Sequence, residues 1–110
     1  MDQNIKEQWV EALRSGEYEQ GRYWLRYEDK FCCLGVLCDL HAQATNREWE
    51  DKNDAVGNYL GSDEILPEEV VKWAGFDNND PFINEQRVSI YNDESRLDFD
   101  RIADLIESNL

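Results

Sequence analysis

What this sequence has little of narrows the field first. It holds one histidine, two prolines and six glycines, and 11 lysines and arginines stand against 25 aspartates and glutamates. So few prolines and glycines argue against a low-complexity or linker-like chain. No apolar run reaches the roughly 18 residues that a membrane helix needs, so no membrane span is expected. The start, Met1-Asp2-Gln3-Asn4, lacks a basic stretch followed by an apolar one, so no secretory signal is expected and a cytoplasmic setting is. The shortage of cations leaves a formal charge of −14. A surface of that sign repels phosphate backbones, which argues against direct nucleic-acid binding. It reads either as solubilising charge, the plainer account, or as a lure for basic protein surfaces.

What is present is enough for one core. A chain of 110 residues is the size of one domain, and its 12% aromatic content supplies large buried areas, so a single domain over 1–110 is expected. Ile5, Trp9, Val10 and Leu13 form one helical stripe between Asn4 and Ser15, stopped by Gly16. Arg22 to Tyr27 alternates like a strand, with Arg22, Trp24 and Arg26 on one face. Glu28-Asp29-Lys30 reads as a turn, and a second short strand begins at Phe31. Cys33 to Ala42 is apolar on nearly all sides, as a central buried helix would be. Thr45 to Gly61 is polar and reads as a loop or weak hairpin. Pro67 is placed at the first position of a short helix ending at Gly75. Phe76 to Gln86 reads as irregular, Arg87 to Tyr91 as a short strand, and Asn92 to Ser95 as a turn. Leu97, Phe99, Ile102, Ala103, Leu105 and Ile106 mark the inner face of a C-terminal helix. Three or four helices with a small antiparallel sheet or hairpins make the fold class α+β.

The chemical candidates are few. Cys32, Cys33 and Cys38 are an odd number within seven residues of an apolar stretch, which reads as reduced core thiols rather than a disulfide framework. Cys33 at a helix N-terminus invites a nucleophile reading. The single histidine, His41, would however lie about 12 Å along the same helix, too far to act as its base. Zinc on Cys32, Cys33, Cys38 and His41 is disfavoured because the adjacent pair points two ways. The acidic group Glu48, Glu50, Asp51 and Asp54 lacks the alternating ligands and central glycine of a calcium loop. No phosphate-cradling glycine motif occurs. No catalytic residue, metal or cofactor is therefore expected. The feature that remains is basic: Arg14, Arg22, Arg26 and Lys30, with Trp24 between Arg22 and Arg26, would suit a phosphate-bearing ligand with a stackable base. The plainer reading pairs these cations with Glu17, Glu19, Glu28 and Asp29.

Three blocks together resemble a family of small bacteriophage and prophage proteins. They are Trp9-x-x-Ala12-Leu13-Arg14-Ser15-Gly16-x-Tyr18-x-Gln20-Gly21-Arg22 with Leu25-Arg26; Phe31-Cys32-Cys33-Leu34-Gly35-Val36-Leu37-Cys38-Asp39-Leu40; and Leu66-Pro67, Val70, Trp73-Ala74-Gly75, Asn92-Asp93, Phe99 and Ile102-Ala103-Asp104-Leu105-Ile106. The resemblance implies phage origin and a host-cytoplasmic setting, and carries no catalytic role onto any position. Tyr23-Trp24 depart from the pattern, being bulky where small residues are expected. The expected function is stoichiometric binding to a host protein with a basic surface, as a counter-defence or host-takeover inhibitor. Trp49 and Tyr59 would anchor it, with Glu50, Asp51 and Asp54 as the charged rim. The alternative is sequestration of a small anionic, nucleotide-derived ligand by Arg14, Arg22, Trp24 and Arg26.

Overall fold

Helix α1, Gln3–Arg14, begins at an acceptor: the Asp2 carboxylate takes the Ile5 N–H at 3.0 Å. The structure, a computed structural model, describes residues 1–51 and 55–110. Ile5, Trp9, Val10 and Leu13 form the buried stripe of α1 as the spacing predicts. Beyond it run β1 (Glu19–Gln20), β2 (Arg26–Tyr27) and β3 (Lys30–Phe31), a three-stranded sheet in the order β1-β3-β2. β1 is parallel to β3, with Gln20 opposite Phe31, and β2 is antiparallel to it, with Arg26 opposite Phe31. The predicted strand from Arg22 is thus corrected to two residues. Arg22 to Leu25 is a succession of bends with Tyr23 at a φ of 73°, which breaks the alternation expected to put Arg22, Trp24 and Arg26 on one face.

Helix α2, Cys33–Thr45, is the centre of the molecule. Cys33, Leu34, Val36, Leu37 and Cys38 are all fully buried, because a helix apolar on every side can only be covered on every side. Gly35 permits this: a side chain there would run into the carbonyl oxygen of Leu25. The indole N–H of Trp9 on α1 donates to the Cys33 carbonyl at 2.9 Å, fixing α1 across the start of α2.

The polar middle forms the hairpin β4 (Glu50–Asp51) and β5 (Gly57–Asn58), consistent with the weak hairpin expected there. Helix α3, Glu68–Ala74, ends at Gly75 with a φ of 77°, while Pro67 is its N-cap rather than its first residue. The stretch expected to be irregular contains a second hairpin, β6 (Phe82–Ile83) and β7 (Gln86–Arg87). The strand expected from Arg87 to Tyr91 is instead helix α4, Val88–Asp93, and Asn92-Asp93 close that helix rather than form a turn. The overturning interaction is non-local. The Asp80 carboxylate accepts the Ser89 N–H at 3.1 Å and its hydroxyl at 2.5 Å, satisfying the first turn of a segment whose Val, Ile and Tyr favour a strand.

Helix α5, Phe99–Asn109, is capped by Asp98, packs along α1 and buries Phe99, Ile102, Ala103 and Ile106. Leu97 and Leu105, expected to face inward, are half-buried. Five helices and three small sheets among the described residues make an α+β domain around one core. No helix in the described residues is long and apolar enough to cross a membrane.

Candidate functional site

The two predicted sites meet at Arg26. Its Nη2 donates to Asp51 Oδ1 at 2.6 Å, and its guanidinium carbon lies 5.1 Å from the Trp49 ring centroid. Gly57 leaves room for the arginine stem: a side-chain carbon there would fall 2.6 Å from Arg26 Nε. The arginine expected to bind a ligand and two residues expected to meet a protein therefore form one intramolecular assembly. The pairing reading holds in kind for Arg26, but the partner is Asp51 on the distant hairpin rather than Glu28 or Asp29. With Asp51 69% exposed, the pair is worth less than about 1 kcal/mol.

Behind Arg26 the aromatic side chains form a continuous series. Phe31 meets Tyr18 and Trp49 edge-on, Trp49 tilts against Tyr59, Tyr59 meets His41 edge-on, and His41 meets Trp73 edge-on at 5.0 Å. Such contacts are geometry-specific and fix the ring positions. Asp39 on α2 holds the outer end, accepting the Tyr18 hydroxyl at 2.6 Å and the Trp49 indole N–H at 3.0 Å. Burial, then Asp39, raise the Tyr18 pKa and keep its hydroxyl a donor. The expected anchors are corrected accordingly. Tyr59 is fully buried and Trp49 half-buried, so neither stands free; Glu50 and Asp51 are exposed; Asp54 lies outside the described residues.

Arg14 is elsewhere. It joins α1 to α5 through Asp104 at 2.6 Å and Glu107 at 3.1 Å, and so does not join Arg22, Trp24 and Arg26. Arg22 and Trp24 are half-buried, and the Nε atoms of Arg22 and Arg26 are buried without a hydrogen-bond partner among the described residues.

Cys33 does begin α2, and His41 lies on the same helix, as expected. Burial pushes Cys32 up to about 12 and Cys33 and Cys38 well above the ordinary thiol range. Helix-dipole activation loses to desolvation here, and the thiols persist as neutral core groups. Cys32 serves α2 as its N-cap, its sulfur accepting the Gly35 N–H at 3.4 Å. His41 is engaged at both ring nitrogens, with the Tyr59 hydroxyl 2.6 Å from Nδ1 and Glu69 3.2 Å from Nε2.

One further cluster is built around Asn92, which the sequence reading placed in a turn. Asn92 is fully buried and its side chain makes four hydrogen bonds. Its oxygen accepts from Gln20 at 2.9 Å and the Cys33 N–H at 3.2 Å. Its amide donates to the Gly21 carbonyl at 2.9 Å and Asp93 at 2.8 Å. Asp93 in turn accepts the Tyr23 N–H at 2.9 Å. The end of α4 thereby clamps the loop from Gly21 to Trp24 onto the start of α2.

Residues 1–110 match a family described as Domain of unknown function (DUF8296). The chain belongs to that family. No curated protein and no solved structure matches it. In this DUF8296 chain the sequence reading gave Asn92 only a turn and Tyr23 only a departure from the resembled pattern, and assigned neither a place in a site. The signal for both lay in the resemblance, whose third block includes Asn92-Asp93 and from whose pattern Tyr23-Trp24 depart.

Proposed function

We propose that this chain is a bacteriophage accessory protein that works in the host cytoplasm by stoichiometric binding to a host protein with a basic surface, in counter-defence or host takeover. The observation that carries the reading is the overall charge of −14, part of which lies exposed on the helices. On the layer formed by α1 and α5, Glu7, Glu11, Asp98, Asp100, Asp104 and Glu107 are exposed, and the cations beside them are Lys6, Arg14 and Arg101. Arg14 is already engaged by two of those carboxylates. A field of this sign accelerates encounter with a basic surface. The phage setting is supported by the three-block resemblance. Neutral buried thiols and a histidine held at both nitrogens favour binding over nucleophilic chemistry. A small anionic ligand at Arg22, Trp24 and Arg26 would have to displace Asp51 from Arg26, so protein binding is the reading carried forward.

Affinity capture from a bacterial host lysate at low and high salt, followed by native mass spectrometry, tests it. The expected result is a basic host protein bound in fixed stoichiometry, captured less at high salt and less by the chain combining Glu7→Lys, Glu11→Lys and Asp100→Lys. Capture of no protein at low salt, or equal capture by the charge-reversed chain, overturns the reading.

A further inference from the structure

Electrostatic steering brings a partner close but does not hold it, and the α1–α5 layer exposes no large apolar side chain among the described residues. Those that are exposed are Tyr23, Tyr27, Leu60, Ile65 and Phe82. Phe82 lies under the Arg87 guanidinium, 4.4 Å from ring centroid to cation. The other four sit on two segments joined by backbone contacts. Leu25 N–H donates to the Asp63 carbonyl at 2.7 Å, Glu28 N–H to the Ala55 carbonyl at 2.8 Å, and Tyr27 bridges Val56.

Tyr23 is the most exposed of the four, at 55%, and its backbone is the least ordinary. The Trp24 N–H donates to the Arg22 carbonyl at 2.9 Å across a Tyr23 φ of 73°, which is a γ-turn of the rarer, positive-φ form. A bulky aromatic residue is strained there. The loop is nonetheless fastened at each end: Gly21 N–H donates to the Phe31 carbonyl at 2.8 Å, Asn92 holds the Gly21 carbonyl, and Asp93 holds the Tyr23 N–H. Leu60 repeats the theme. It occupies the first tip position of a two-residue hairpin closed by Tyr59 and Ser62, at a φ of 50° where Asn or Gly is preferred, and it is 38% exposed. Two large apolar residues held outward in positive-φ geometry by their surroundings are poor choices for folding and good ones for presentation.

We propose that Tyr23 is the anchor of a protein-docking surface completed by Tyr27, Leu60 and Ile65, and that its occupant is an apolar pocket rimmed by lysine or arginine on a host protein. Charge selects that occupant. The same two segments expose Glu28, Asp29 and Glu64, against an exposed Lys30, a half-buried Arg22 and an Arg26 already paired with Asp51. This inference rests on the host-protein reading and deepens it, assigning short-range adhesion to Tyr23 and long-range steering to the acidic helices. A rigid, pre-formed loop lowers the ordering cost of association, which is how a single aromatic side chain becomes dominant.

The test places a photo-crosslinking p-benzoylphenylalanine at position 23 of the full chain, and separately at Gln8 on α1, in host lysate. The protein joined at position 23 is then purified and its binding to the unmodified chain timed. Tyr23→Gly should raise the dissociation rate about 30-fold with little change in association rate, while melting no lower than the parent, since glycine relieves the positive φ. Tyr23→Asn, which also tolerates that geometry, should behave alike. Glu7→Lys with Glu11→Lys should instead slow association and leave dissociation nearly unchanged. Unaltered dissociation in both Tyr23 variants, equal crosslinking from position 8, or a crosslink to a second copy of this chain overturns the docking surface and leaves the host-protein reading standing. Absence of any partner for the unmodified chain overturns both.

Discussion

The Tyr59 hydroxyl lies 2.6 Å from Nδ1 of His41, with both side chains enclosed in the core. Burial raises the Tyr59 pKa, so the phenol stays protonated and donates. The imidazole is then neutral, accepting at Nδ1 and donating its Nε2–H to Glu69. Burial lowers the His41 pKa, Glu69 opposes that shift, and Arg47, paired with Glu69, adds to it. The folded state therefore resists protonation that the unfolded chain accepts. Stability contributed by neutral His41 is complete above about pH 6.5 and is lost as pH falls from there toward the lower folded pKa. Urea unfolding between pH 5 and 8 should show this slope, and His41→Asn should remove it. Glu69→Gln deletes the group that favours the charged form and should extend the loss to lower pH.

Asn92 joins β1, the Gly21 loop and α2 through one side chain, so truncation leaves several buried groups without partners. Asn92→Ala should cost about 3–5 kcal/mol in denaturant unfolding. Asn92→Asp keeps the shape but replaces the donor to Gly21 with a second carboxylate beside Asp93, and should be most damaging at neutral pH. A cost below about 1 kcal/mol for the alanine variant would contradict the clamp.

Gly35 sits where α2 meets the backbone of Leu25, and a methyl group would strike a carbonyl that cannot swing aside. Gly35→Ala should destabilise the fold by about 3 kcal/mol or more, despite alanine's better helix propensity. Equal or higher stability would show that the helix can shift away from Leu25.

Cys32, Cys33 and Cys38 are buried thiols held neutral by desolvation. A thiol-reactive disulfide reagent at pH 8 should modify the native chain only at the rate of its opening, and all three positions at once in denaturant. Rapid labelling of one cysteine in the folded chain would revive the nucleophile reading.

Local regularity explains what could be read in advance. The helices α1, α2 and α5 announce themselves because each repeats apolar residues at the helical period, and the buried character of Cys33 to Cys38 follows from an apolar stretch with no polar face to show to water. The turn at Glu28-Asp29 and the stop at Gly75 rest on chemistry that acts within a few residues. Segment Arg87 to Tyr91 fails this way of reading because its helix is decided by Asp80, and Arg22 to Leu25 fails because Asn92 and Asp93 hold it out of a strand some seventy residues away in the chain.

For the site the division is sharper. The sequence by itself determined the sign and size of the charge, the reduced state expected of the thiols and the distance between Cys33 and His41, since these follow from residue type and helical rise. It could not place Trp49 and Tyr59 inside, hand Arg26 to Asp51, take Arg14 to the far helix pair or turn Tyr23 outward. Each of those outcomes is a contest between burial and pairing across long chain separations, and only the folded arrangement sets which partner is near enough to win.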